Sequence, residues 1–212
     1  MNKDFLRFDK DKDLVFFDME TLNLCLNFSH NLPWQIALLR SKNGLKVDFK
    51  DYYIKWDTKL KISKGAAEIT KYDQSKVDKF GVSPKEAFDK MYEWFTEADY
   101  VLGHNIFGFD LYLFKEFCLL MNKPYKQFLP KFLDTNCLAK AIKLQKTISL
   151  NEDLTCFQYK LYNTRVKGIR TNLTALGKEF EIEHDYDNLH NALVDLELNL
   201  KVWNKLKYAI NI

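Results

Sequence analysis

The chain is short of the residues that break regular structure. Glycine occurs 7 times and proline 4 times in 212 residues, which leaves little room for long unstructured or low-complexity stretches. No run of 18 apolar residues occurs, so no membrane-spanning helix is expected. The first residues, MNKDFLRFDKDKD, are charged and contain no apolar core, so no secretory leader is expected either. Cysteine is sparse. Cys25, Cys118, Cys137 and Cys156 form no C-x-x-C pair and sit among apolar or helical neighbours. Buried free thiols in a reducing, cytoplasmic compartment are expected, rather than zinc ligands or disulfides. A strong charge imbalance is also missing: the net charge of +3 does not by itself imply a nucleic-acid partner. No internal repeat is present.

What remains is an ordinary globular composition, with 47% hydrophobic and 15% aromatic residues. The length favours one domain, 1–212, over two small ones. The stretch Leu14 to Thr21 is LVFFDMET, an apolar run that ends on two acids. A continuous apolar run of this length suits a strand buried on both faces. Side chains alternate along a strand, so Asp18 and Glu20 project from one face. Two carboxylates side by side at the end of a buried strand repel each other and lose hydration. A hard divalent cation, Mg2+ or Mn2+, would relieve both penalties. Asp-x-Glu is nevertheless common, and a strand end is a normal place for acids, so the motif needs further ligands to carry weight.

The next segments suggest two more strands, Trp34 to Leu39 and Val47 to Lys55, joined by the hairpin signal Asn43-Gly44. The three form an antiparallel meander. Ser83-Pro84-Lys85-Glu86 opens a helix with a cap, a first-turn proline and a capping-box glutamate. Its apolar face is Ala87, Phe88, Met91, Trp94 and Phe95. A short strand, Tyr100 to Gly103, leads to a helix from Asp110 to Met121. A fifth strand is expected at Pro130 to Leu133, followed by a helix from Asp134 to Leu144. Gln145 to Arg170 has no clear period. Thr171 to Phe180 is helical, with Thr171 or Asn172 as cap, and a last helix runs from Asn191 to Lys207. The pattern is α/β: a mixed five-stranded sheet flanked by helices.

Two later acids fall on inward faces. Asp110 shares a stripe with Phe114, Phe117 and Met121, so its carboxylate should point towards the sheet. A helix-opening acid is also favoured by the helix dipole alone, and for this residue by itself that simpler account is preferred. Asp195 shares a stripe with Ala192, Asn199 and Val202 that flanks the leucine face of the last helix, which places it at the edge of the core. His190 precedes that helix, and a histidine there can be either an exposed loop residue or a proton acceptor near Asp195. Four carboxylates and an imidazole are sufficient for two-metal phosphodiester hydrolysis.

Taken in order, the motifs Asp18-Met19-Glu20-Thr21, then Gly103-His104-Asn105-Ile106-Phe107-Gly108-Phe109-Asp110, then His190-Asn191-Ala192-Leu193-Val194-Asp195 resemble those of DnaQ-like 3′→5′ exonucleases. These are the DEDDh branch of the ribonuclease H-like superfamily. Gln35-Ile36-Ala37, Asp134-Thr135 and Leu173-Thr174-Ala175-Leu176-Gly177 are smaller matches between them, and the resemblance spans nearly all of Leu14 to Leu206. The histidine branch is indicated because Asn191, not tyrosine, stands four residues before the last acid.

The resemblance implies a ribonuclease H-like fold and two Mg2+ or Mn2+ ions per site. Asp18, Glu20 and Asp195 would bind the water-activating ion, Asp18 would bridge to the second with Asp110 nearby, and His190 would be the general base. The backbone around Thr21, with Leu22 and Asn105, would hold the terminal nucleotide. The implied substrate is the 3′ end of single-stranded DNA, with nucleoside 5′-monophosphates as products, in proofreading or DNA processing and in a polymerase or repair complex if it has partners. RNA ends, very short oligonucleotides and a non-catalytic binding module on the same fold are the alternatives. Asn23 stands where many members have glycine, and 145–170 looks like an insertion. That segment carries Lys146, Lys160, Arg165, Lys167 and Arg170 among Phe157, Tyr159 and Tyr162. The pattern suits a phosphate-and-base track and equally a flap whose aromatics pack on the core.

Overall fold

The computed structural model describes residues 12–24, 31–57, 61–149, 151–189 and 191–210. Five strands, β1 (Leu14–Thr21), β2 (Pro33–Lys42), β3 (Leu45–Tyr53), β4 (Tyr100–Gly103) and β5 (Phe132–Asp134), form one sheet in the order β3-β2-β1-β4-β5. β1–β2 and β2–β3 are antiparallel, whereas β1–β4 and β4–β5 are parallel. The expected mixed five-stranded sheet is therefore present, with the acid-bearing strand at its centre. Leu14, Val15, Phe16 and Phe17 are fully buried, as a strand covered on both faces requires. Asn43 and Gly44 both adopt positive φ, 56° and 72°, the geometry that a tight two-residue hairpin demands and that Asn-Gly supplies at little cost. β2 runs on to this turn, which is why it outlasts the apolar core of its sequence.

Eight helices among the described residues cover the sheet. They are α1 (Lys64–Ile69), α2 (Gln74–Phe80), α3 (Pro84–Glu97), α4 (Asp110–Leu120), α5 (Thr135–Lys143), α6 (Leu154–Asn163), α7 (Leu173–Glu179) and α8 (Ala192–Leu206). α3 follows its sequence signals closely. The Ser83 side chain accepts the Glu86 N–H, Pro84 occupies the first turn, and Ala87, Phe88, Met91, Trp94 and Phe95 are all buried. α7 is capped by Asn172 and α8 by Asn191.

Two expectations are corrected. The fifth strand starts at Phe132, after a 3-10 turn over Lys126–Lys131 that contains Pro130. Proline has no N–H to donate to a ladder, so pairing begins beyond it. Asp134 ends this strand and caps α5 rather than belonging to the helix. The segment 145–170 is also more ordered than its lack of period suggests, because it holds α6. Phe157 and Leu161 enter the main core, and Gln158 is fully buried. The Gln158 Nε2 donates to Phe132 O at 2.9 Å, and its Oε1 accepts from Asp134 N at 2.8 Å. One side-chain amide thus completes the outer edge of β5, where an open ladder would leave unpaired backbone groups. Gln158→Leu is expected to lower unfolding free energy by about 2–4 kcal/mol, because a buried N–H and a buried C=O lose their partners. Chemical denaturation checks this.

Candidate active site

The end of β1 carries the site. β1 presents Asp18 and Glu20 on one face and buries Met19 on the other. A register shift between Glu20 and Thr21 bends the strand as it leaves the sheet, as bulges beside sites commonly do. α8 packs over β1 and β2 and brings Asp195, in its first turn, onto the same face. One carboxylate oxygen from each of Asp18, Glu20 and Asp195 lies within 4.8 Å of the others. Asp110 opens α4 and is buried. Its Oδ1 accepts from the Met19 N–H at 3.2 Å, so it sits against the β1 backbone between the two strand acids, outside the group of three. The inward orientation expected for Asp110 and the core-edge position expected for Asp195 are both observed. His190 lies outside the described residues.

The electrostatics follow from this crowding. Burial, reinforced by the Asp195 charge, raises the Asp18 carboxyl from its ordinary value to about 7. Burial raises Glu20 further, to about 9, with Asp18, Asp195 and Asp110 all adding repulsion. Burial and Asp18 push Asp110 well above the usual carboxylate range, and the Met19 N–H offsets only part of that. No lysine or arginine among the described residues relieves Asp18, Glu20 or Asp110. Hard oxygen donors this close together fit a divalent metal ion.

A groove of ≈ 330 Å³ opens onto the acids. One wall is the turn between β4 and α4, with Asn105, Gly108 and Phe109. Ile69, at the end of α1, and its C-cap Thr70 line the groove as well. Asn105 adopts φ 65°, a left-handed conformation that asparagine tolerates better than most residues. Asp134 fixes it there. Its Oδ1 accepts from Asn105 N at 2.9 Å and its Oδ2 from Phe107 N at 3.2 Å, while Oδ1 also caps α5 through Asn136 N at 2.9 Å. His104 is half-buried in the same turn, with Nδ1 2.9 Å from Thr135 Oγ1. Burial of the ring lowers it to about 4, so it is uncharged near neutral pH.

Of the three residues expected to hold a nucleotide, Thr21 and Asn105 line the groove. Leu22 turns its side chain into a small cluster with Trp34 and Val77. Its N–H donates to Leu32 O at 3.1 Å and its C=O accepts from Ser63 N at 3.0 Å, so both backbone groups are already engaged. The sequence did not point to Leu24 and Ile69, which line the groove and are 47% and 48% exposed. α1, which supplies Ile69, buries only Ala66 and so leaves no apolar stripe to read.

A mixed five-stranded sheet with a cluster of acids at the end of its central strand defines the ribonuclease H-like class. The family model described as Exonuclease, RNase T, matches residues 15–203. The chain belongs to that family, the DnaQ-like 3′→5′ exonucleases. E. coli exonuclease I in complex with a dA16 oligonucleotide superposes with a TM-score of 0.73 at 18% identity, over 93% of this chain and 41% of that one. The zinc-bound form of the E. coli exonuclease I–single-stranded DNA complex gives 0.71 at 19% identity, again over 93% and 41%. These likenesses establish a shared fold, and the chain spans about two fifths of the length of exonuclease I. No curated protein sequence matches the chain. No helix among the described residues is long and apolar enough to cross a membrane.

Proposed function

We propose that this chain is a single nuclease domain, a DEDDh-type, metal-dependent 3′→5′ exonuclease that removes nucleoside 5′-monophosphates from single-stranded DNA ends. The observation that carries the reading is the convergence of Asp18, Glu20 and Asp195 to within 4.8 Å, beside a groove that Asp18, Glu20 and Asp110 line together with uncharged residues. In this reading Asp18, Glu20 and Asp195 would hold one Mg2+ or Mn2+, and Asp18 with Asp110 would hold a second. When bound, such ions lower the pKa of water and stabilise the charge that develops on the leaving 3′ oxygen. Asn105 and the backbone near Thr21 orient the terminal nucleotide. His190 accepts the proton from the attacking water, a role for which its ordinary pKa near neutrality suits it.

The likeness to exonuclease I bound to oligonucleotides supports single-stranded DNA as the substrate. The test uses 5′-labelled DNA and RNA oligomers, single- and double-stranded, with Mg2+ or Mn2+. A ladder shortened one nucleotide at a time from the unlabelled end supports the reading. Release of no nucleotide from any of them refutes it and leaves a binding module. Preference for the RNA oligomer moves the substrate to RNA. His190→Ala is expected to slow release by about 10²–10⁴-fold, the usual contribution of a general base.

A further inference from the structure

One basic segment is built into the rim of the groove. From Leu154 to Lys178 the chain contains no acid and five cations, Lys160, Arg165, Lys167, Arg170 and Lys178. The structure sorts this stretch. Phe157 is in the core, and Lys160 is paired with Glu152 at 2.6 Å. The turn 164–170 is different. Arg165, Lys167 and Arg170 are all exposed and have no carboxylate partner among the described residues. At Gly168, φ is +87° and nothing lies within 4 Å of where a Cβ would stand, so the apex projects into open space.

Both ends of this turn are fastened to residues of the groove. Before it, the Tyr162 ring lies directly on Gly108, where an added Cβ would come within 2.9 Å of the ring. Gly108 lines the groove. After it, Thr171 Oγ1 donates to Asn136 Oδ1 at 2.6 Å, and Asn136 Nδ2 donates to Asn105 Oδ1 at 3.3 Å. Lys143 Nζ holds the Arg170 carbonyl at 2.7 Å. Three uncompensated cations are therefore displayed a few side chains away from an anionic groove. An acidic groove repels a polyanion on approach, and exposed cations at its rim supply the opposing attraction.

We propose that Arg165, Lys167 and Arg170 hold the phosphodiester backbone of the strand, upstream of the 3′ end that enters the groove. This rests on the nuclease reading for the direction of the strand. The test compares the protein with its Arg165→Gln, Lys167→Gln, Arg170→Gln variant. The probes are a labelled oligothymidylate and a labelled oligouridylate, each roughly 12 nucleotides long, and a thymidine dinucleotide too short to span from groove to turn.

The variant is expected to bind the long probes about tenfold more weakly at low salt, with the slope of log affinity on log salt reduced by about 2 for three lost contacts. Cleavage of the dinucleotide is expected to stay unchanged. A larger effect on one long probe than on the other identifies DNA or RNA as the strand held. An unchanged affinity and slope refutes the proposal, and so does an equal loss on long and short substrates, which would mean the turn acts by supporting the groove. If the unaltered protein cleaves neither length, the nuclease reading fails, and the salt slope on the long probes still decides whether the turn holds a strand.

Discussion

Asp195→Asn is expected to abolish nucleotide release while leaving the metal-free protein more stable than before. The two outcomes have one cause. Asp195 is on α8 and Asp18 and Glu20 are on β1, yet their oxygens lie within 4.8 Å. In the proposed metal-dependent reading, that geometry would supply ligands. Losing one removes several kcal/mol of transition-state stabilisation, a fall in turnover of about 10³-fold or more. Without metal, the same geometry is repulsive, because Asp195 raises both Asp18 and Glu20. Asparagine keeps the shape and removes the charge. A single-turnover assay reads the first effect, and thermal melting in EDTA at pH 8 reads the second. Asp18→Ala should abolish turnover as well. A variant that loses activity and also melts earlier in EDTA would show that Asp195 serves the packing of α8 rather than metal binding.

The second expectation is a pH dependence that metal removes. Folding raises Asp18 to about 7 and Glu20 to about 9, above their ordinary values near 4. The folded protein therefore binds more protons than the unfolded chain between these limits, and stability must fall as pH rises through that window. Both side chains are half-buried rather than sealed from the groove, so water screens part of the effect. A loss of about 2 kcal/mol between pH 5 and 9 is expected, which corresponds to about 4–8 °C in Tm for a chain of this size. Mg2+ or Mn2+ at about 100 times its Kd should return about 2.7 kcal/mol. The gain should be larger at pH 8.5 than at pH 5.5, since the ligands must first lose their protons. EDTA should reverse it. Melting curves that coincide at both pH values, with and without metal, would mean that these carboxylates do not interact as described.

The parts of this site that could be read from sequence are those with a local signature. Asp18 and Glu20 follow an apolar run and alternate on one face. Asp110 lies on a stripe of which Phe114 and Phe117 proved to be buried and Met121 partly buried, and Asp195 on one whose Ala192, Asn199 and Val202 are buried. Asn43-Gly44 and Ser83-Pro84 name their turn and cap by chemistry alone. The α1 side of the groove had no such signature. α1 and α2 have six and seven residues, too short to show a helical period. Their caps, Ser63 and Asp73, were the only signals available. Leu24 and Ile69 line the groove because β1 and α1 meet in space, which no spacing in the chain records. Leu22 went the other way, since a nearby tryptophan and valine draw it into a separate apolar cluster.

The amide of Gln158 has a consequence that reaches past one molecule. A sheet whose last strand offers free N–H and C=O groups invites a strand from another copy to add on. Here that margin is occupied from within, by a side chain held in the core. Copies at high concentration meet at β5 a surface with nothing left to zip onto, so the three-residue strand stays a boundary instead of a seed for fibres.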